Sequence, residues 1–356
     1  MERPHNFSAG PCILPLEVFE KASQSVIDLD GSGLSILEIS HRSSAFVEVM
    51  EKARALALEH LNLQDKGYKA LFLQGGASMQ FLMTAYNLLE TKAGYLDTGT
   101  WSANAIKEAK NFGNVEVIAS SKENNYNFIP KGYQVPKDLD YLHCTSNNTI
   151  FGTQMKSFPN SEGRPLICDM SSDIFSRDID YSQFGLIYAG AQKNMGPAGA
   201  TLVVVKEDIL GKVSRTIPSM MDYELYIKKE SMFNTPPVFS VYVSMLTLEW
   251  LSRNGGVTAI EKKNAQKAKL IYSEIDRNPL FQGFTVKEDR SMMNATFSLN
   301  DQKLAPRFDE LWKKANINGL NGHRSVGGYR ASMYNALSIE SVKVLVDVMK
   351  HFETTI

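Results

Sequence analysis

The sequence predicts an α/β fold, with a large domain built on a mainly parallel sheet flanked by helices and a smaller C-terminal α/β domain. Three observations carry this. Short apolar strands alternate with helical segments of ten or so residues, which is the pattern of a parallel sheet covered on both sides. Several strands, such as LIYAG and TLVVV, are apolar without alternation, as strands buried on both faces are. Glycine-rich turns follow the strand ends, where ligands of open α/β sheets gather. A chain of 356 residues with 43% hydrophobic side chains has enough apolar surface for two or three domains.

In chain order, an irregular arm over 1–15 leads into helical spacing over 15–28 and 45–62. Strand KALFL (69–73) precedes a helix over 78–89, GYLD (94–97) precedes a helix over 103–111, and VEVIA (115–119) follows. YLHC (141–144), PLICD (165–169), LIYAG (186–190) and TLVVV (201–205) complete the predicted sheet. A helix over 241–251 stops at Asn254-Gly255-Gly256. Beyond it come a long helix to about 276, a strand NATFSL (294–299), a helix over 306–315 and a last helix after Ser338. The expected division is therefore arm 1–15, large domain 16–256 and small domain 257–356. No repeat or low-complexity tract interrupts it.

A net charge of -1 and the lack of a Lys/Arg block argue against nucleic acid as a partner. Three widely spaced cysteines, Cys12, Cys144 and Cys168, form neither a disulfide framework nor a metal-ligand cluster, so no metal is expected. MERPHNFSAGPCILP lacks an apolar signal core, and no run reaches the roughly 18 residues of a membrane span. A cytoplasmic enzyme without membrane contact is the expectation.

The chemistry concentrates at strand ends. In IYAGAQKNMGPAGATLVVV, Lys193 sits in a small-residue turn between two apolar strands. A buried ammonium is costly, and desolvation turns lysine into a nucleophile; a turn lysine reaching out to water is the plain alternative. PLICD ends in Asp169, which either caps the following Ser171-Ser172-Asp173 or faces Lys193 across one crevice. A lysine able to form a Schiff base, with an aspartate able to hold a proton on a pyridine nitrogen, is the protein half of pyridoxal-phosphate chemistry. ALFLQ runs into Gly75-Gly76-Ala77-Ser78 and then a helix, whose first N–H groups can hold a phosphate. That pattern is neither a dinucleotide fingerprint nor a Walker A loop. Trp101 can stack on a flat heterocycle or pack in the core. Thr149 can bond a ring hydroxyl or be an ordinary loop residue. His41-Arg42, His323-Arg324 and Arg330 stand in Gly/Ser-rich segments and suit a di- or trianionic substrate if they converge.

Read together, NFSAGP (6–11), SHR (40–42), GGAS (75–78), AGAQKNMGPAG (189–199), SMFNTPP (231–237) and GHRSVGGYRAS (322–332) closely resemble the class V pyridoxal-phosphate-dependent aminotransferases, in order along essentially the whole chain. The resemblance implies an aspartate-aminotransferase-like fold (fold type I) and a homodimer with shared active sites. It points to the branch that exchanges the amino group of L-glutamate with 3-phosphohydroxypyruvate, giving 2-oxoglutarate and O-phospho-L-serine for serine biosynthesis. Use of 4-phosphohydroxy-L-threonine in vitamin B6 synthesis is open. It assigns Lys193 to the cofactor Schiff base, Asp169 to the pyridine nitrogen, Trp101 to stacking and Thr149 to the ring oxygen. The cofactor phosphate falls to Gly76, Ala77 and Gln192, with Asn234 and Thr235 from the other subunit. Arg330 takes the substrate α-carboxylate, and His41, Arg42, His323 and Arg324 take the distal anion. Some members carry arginine where this chain has Ala77, which leaves the distal anion one cation fewer. Other class V chemistry, and non-catalytic binding of an anionic metabolite, are the rival readings; none of the three cysteines suits a desulfurase.

Overall fold

The structure, a computed structural model, describes residues 3–356. Its main sheet has seven strands: β1 (Tyr68–Leu73), β2 (Lys92–Asp97), β3 (Asn114–Ser120), β4 (Tyr141–Thr145), β5 (Leu166–Asp169), β6 (Leu186–Gly190) and β7 (Thr201–Lys206). They lie in the order β1-β7-β6-β5-β4-β2-β3. All neighbours are parallel except β7, which runs antiparallel to both β1 and β6. Because β7 alone is reversed, the carboxyl ends of the other six strands share one edge. The central strands are largely apolar for the reason expected: β4, β5 and β6 are buried at every residue, whereas the edge strand β3 has none buried.

Helices cover both faces. On one side α1 (Leu16–Ile27), α2 (Ser44–His60) and α6 (Val238–Arg253) bury Val18, Phe46, Met50, Val241 and Leu248 in one cluster. On the other, α3 (Gly76–Leu88), α4 (Thr100–Ala109) and the short α5 (Tyr223–Lys228) bury Phe81, Ile106 and Tyr223 against Tyr95, Tyr141 and Tyr188. Each such buried large apolar side chain contributes about 1.5–3 kcal/mol. Local signals set the helix starts: Ser43 accepts from Phe46 N–H, and Asp222 accepts from the N–H groups of Glu224 and Leu225.

The C-terminal part holds α7 (Gly256–Arg277), α8 (Ala305–Lys314) and α9 (Ile339–Thr355) around an antiparallel sheet of β8 (Phe281–Gly283), β9 (Asn294–Leu299) and β10 (Tyr329–Ser332). The three-residue β8 and four-residue β10 are too short to show a period, so only β9 was legible. The N-terminal arm starts here: His5–Asn6 pairs with Ile317–Asn318, and Phe7 is buried in the C-terminal core. From there it crosses to the main sheet, where Cys12 N–H donates to the Gln192 carbonyl at 3.1 Å.

Candidate active site

The β5–β6 pairing sets Asp169 opposite Tyr188 and brings the end of β5 beside the turn that leaves β6. That turn closes on itself. Ala191 N–H donates to Ala200 O, and the N–H groups of Met195 and Gly196 donate to Ala191 O at 3.2 and 2.8 Å. Gly196 is required by packing, because a Cβ there would run into Ser244 Oγ on α6. The tight loop turns Lys193 into a cleft of about 490 Å3 at the sheet edge.

The cleft is lined by Gly76, Ala77, Trp101, Thr149, Asp169, Gln192, Lys193, His323 and Arg330, all singled out in the sequence. Lys193 Nζ lies 5.7 Å from the centroid of the Trp101 ring. Trp101 Nε1 donates to Thr149 Oγ1 at 3.1 Å, which fixes the indole plane. Asp169 is 5% exposed and accepts from Ser171 N–H at 2.9 Å. It thus caps the next segment and faces the cleft as well. Burial pushes its carboxyl up, opposed by the Ser171 N–H and by Lys193. Burial likewise pushes the Lys193 ammonium down; Asp169 works against this and Arg330 reinforces it. Among the described residues, Lys193 Nζ has no hydrogen bond and no ion pair.

At one wall, Gly75 takes φ 94° and no side chain caps α3, so the first N–H groups of that helix have no intrahelical partner. Nothing occupies the space a Cβ on Gly76 would fill. At the other wall, Arg330 Nη1 donates to Thr149 O at 3.0 Å while its buried Nε has no partner. His323 Nδ1 is 2.7 Å from Ser325 Oγ; burial, then the charges of Arg330 and Arg324, lower its pKa. A cleft of this size suits a small cofactor and substrate. The unspent amine, the carboxylate, the helix start and the orphaned guanidinium nitrogen match the aldehyde, pyridine nitrogen, phosphate and substrate carboxylate of pyridoxal-phosphate chemistry.

Five expected residues do not line this cleft. His41 and Arg42 precede α2; His41 Nε2 is buried without a partner, and Arg42 is exposed. Asn234 Oδ1 accepts from Tyr226 OH, and the Thr235 carbonyl accepts from Gln74 Nε2 at 2.7 Å. Arg324 is exposed on the loop before β10. Conversely, Ala9, Gly10, Asn147 and Ser172 line the cleft unforeseen. The arm motif NFSAGP was the one available signal for Ala9 and Gly10; Asn147 and Ser172 read as loop residues.

Comparison with known proteins agrees with this geometry. The family model Aminotransferase class-V matches residues 5–345. Phosphoserine aminotransferase of Flavobacterium psychrophilum is 67% identical over 99% of this chain and 100% of its own, and that of Flavobacterium johnsoniae 66% over the same shares. Among solved structures, phosphoserine aminotransferase from Bacillus circulans subsp. alkalophilus superposes with a TM-score of 0.96 at 45% identity, covering 100% of this chain and 99% of that one. A pyridoxal-phosphate-bound phosphoserine aminotransferase from Trichomonas vaginalis gives 0.93 at 36%, covering 98% and 100%. The chain belongs to the class V aminotransferases and, within them, to the phosphoserine aminotransferase family. It is a transaminase of fold type I whose cofactor is pyridoxal phosphate.

Proposed function

We propose that this enzyme moves the amino group between L-glutamate and 3-phosphohydroxypyruvate, yielding 2-oxoglutarate and O-phospho-L-serine in serine biosynthesis. The observation that carries the reading is the Lys193 amine, free of protein partners and facing the cleft it shares with Asp169. The bound cofactor supplies the electron sink that makes the substrate α-hydrogen acidic. Lys193, whose ammonium desolvation disfavours, takes that proton and returns it as general base and acid. Asp169 holds the proton on the ring nitrogen. Trp101 covers one ring face, Thr149 serves the ring oxygen, and Gly76, Ala77 and Gln192 bind the phosphate at the α3 start. Arg330 takes the α-carboxylate.

A homodimer supports the rest. The segment before His41 and Arg42 exposes Ile27, Leu34 and Leu37 at 74%, 49% and 63%, beside a hollow of about 880 Å3. A second copy seated on this apolar surface covers it. In this reading His41, Arg42, Asn234 and Thr235 complete the partner's cleft, and Arg324 and His323 join them around the distal anion. The three free thiols, Cys12, Cys144 and Cys168, suit a reducing cytoplasm. The division into an arm over 1–15 and domains over 16–256 and 257–356 fits the two sheets. Oxidised 4-phosphohydroxy-L-threonine, with the same distal phosphate, is a second substrate in this reading and ties the enzyme to vitamin B6 synthesis.

Purified protein with glutamate and 3-phosphohydroxypyruvate is expected to release 2-oxoglutarate with ping-pong kinetics. Turnover with glyoxylate or pyruvate as acceptor, and none with the phosphorylated acceptor, would contradict the assignment.

A further inference from the structure

Lys267 on α7 is 1% exposed and, among the described residues, has no carboxylate partner. Its Nζ donates to three backbone carbonyls, Met333 O at 2.9 Å, Tyr334 O at 2.8 Å and Leu337 O at 3.1 Å. An ammonium has three donors, and here all three are used. One turn earlier on the same helix, Asn264 Nδ2 donates to Asn335 Oδ1 at 2.9 Å. Two buried side chains of α7 therefore grip the strap 333–337 that joins β10 to α9.

The strap reaches the site by two bonds. Tyr334 OH donates to Ala9 O at 2.7 Å, next to Gly10, where an added Cβ would stand 3.4 Å from Lys193 Cγ. Asn335 N–H donates to Asn194 Oδ1 at 3.0 Å, and Asn194 follows Lys193 directly. Asn194 Nδ2 in turn bonds Ser172 O and Ile174 O, on the loop that leaves Asp169. We infer that Lys267 is a positioning residue of the active site, holding the strap that fixes Lys193 relative to Asp169 from the C-terminal sheet side. It touches neither cofactor nor substrate.

The inference rests on Lys193 being the cofactor lysine, and its test separates the two. In holoenzyme carrying Lys267→Met, which keeps the aliphatic stem and removes the donors, the visible cofactor band persists. If Lys193 is not the cofactor lysine, the band instead survives Lys193→Ala. The expected result for Lys267→Met is a kcat lower by roughly five-fold or more with KM for glutamate within about two-fold, the range of coupling through a packed network. The pH midpoint of the band is expected to move up by about half a unit, because a loosened strap admits water beside Lys193. Asn278→Ala is the control for destabilisation alone: buried Asn278 bonds Glu274 and Met349 O at the far end of α7 and is expected to change Tm but neither kcat nor the midpoint. Should Lys267→Met fail to fold, Tyr334→Phe cuts the bond to Ala9 O, together with the longer one its hydroxyl accepts from Asn294 Nδ2 at 3.3 Å, and is expected to move the midpoint the same way. An unchanged midpoint and kcat in whichever of these variants folds, or equal changes in Asn278→Ala, would overturn the proposal.

Discussion

Lys193 is half-buried in its cleft and Lys267 is fully buried, and desolvation pushes both ammonium groups down, Lys267 to about 7. Their surroundings differ in one respect. Around Lys267, three carbonyls use every donor and favour the charged form, while Lys263 nearby works against it. Around Lys193 no acceptor is in place among the described residues, and Trp101 stands back from the amine, its ring centroid 5.7 Å away. Desolvation left uncompensated by hydrogen bonds is costly, so the fold keeps such a group where a ligand will satisfy it. A buried lysine with its donors spent is part of the scaffold; a half-buried one in a cleft with its donors unspent belongs to the chemistry.

The comparison is broken or sharpened first by exchanging the two roles. Lys193→Ala is expected to lower transamination on the order of 10⁴-fold, abolish the cofactor band and leave the Tm of the cofactor-free protein unchanged or higher, since no hydrogen bond or ion pair of the side chain is lost. A variant with wild-type turnover would end the distinction. Asp169→Asn keeps the shape and the bond from Ser171 but loses the charge, and is expected to cost on the order of 10²-fold in turnover. Steady-state kinetics at saturating cofactor checks this. Lys267→Met takes a donor from three carbonyls, of which only Tyr334 O keeps another, the Leu337 N–H at 2.9 Å, and denaturant unfolding should show a loss of about 3 kcal/mol or more.

The most gradual effect concerns His143, another buried titratable group, stacked between Tyr95 and Tyr188 with Nε2 2.8 Å from Tyr188 OH. Burial pushes its pKa from 6.5 to about 3. As pH falls below 6.5, the unfolded chain takes a proton that the folded chain refuses until about 3. The folded state therefore loses stability across that window, by about 1.4 kcal/mol per pH unit from this group alone. His143→Gln should flatten the slope of unfolding free energy against pH between these limits. An unaltered slope would show that His143 takes up its proton in the fold.

Much of this was legible in the sequence, because strands alternating with helices announce a mainly parallel sheet and the site gathers where strands end. Gly75-Gly76 announced the α3 start, although the helix opens at Gly76 rather than Ser78, since the positive φ of Gly75 already turns the chain out of β1. The reversal of β7 was not read, as an apolar strand looks the same in either direction. Nor was Lys267. In IEKKNAQKAKLIY it stands among Lys262, Lys263 and Lys269 as one more lysine of a helix face, and only the strap folded over it makes it different. His41, Arg42, Asn234 and Thr235 were legible as types, yet a single chain does not bring them to its own cleft.

Reduction of the holoenzyme with borohydride, followed by peptide mapping, tests the contrast between the two lysines most directly. The expected product is one pyridoxyl-bearing peptide, modified at Lys193, with Lys267 untouched. A pyridoxyl group found on Lys267, or on any lysine other than Lys193, would contradict the account.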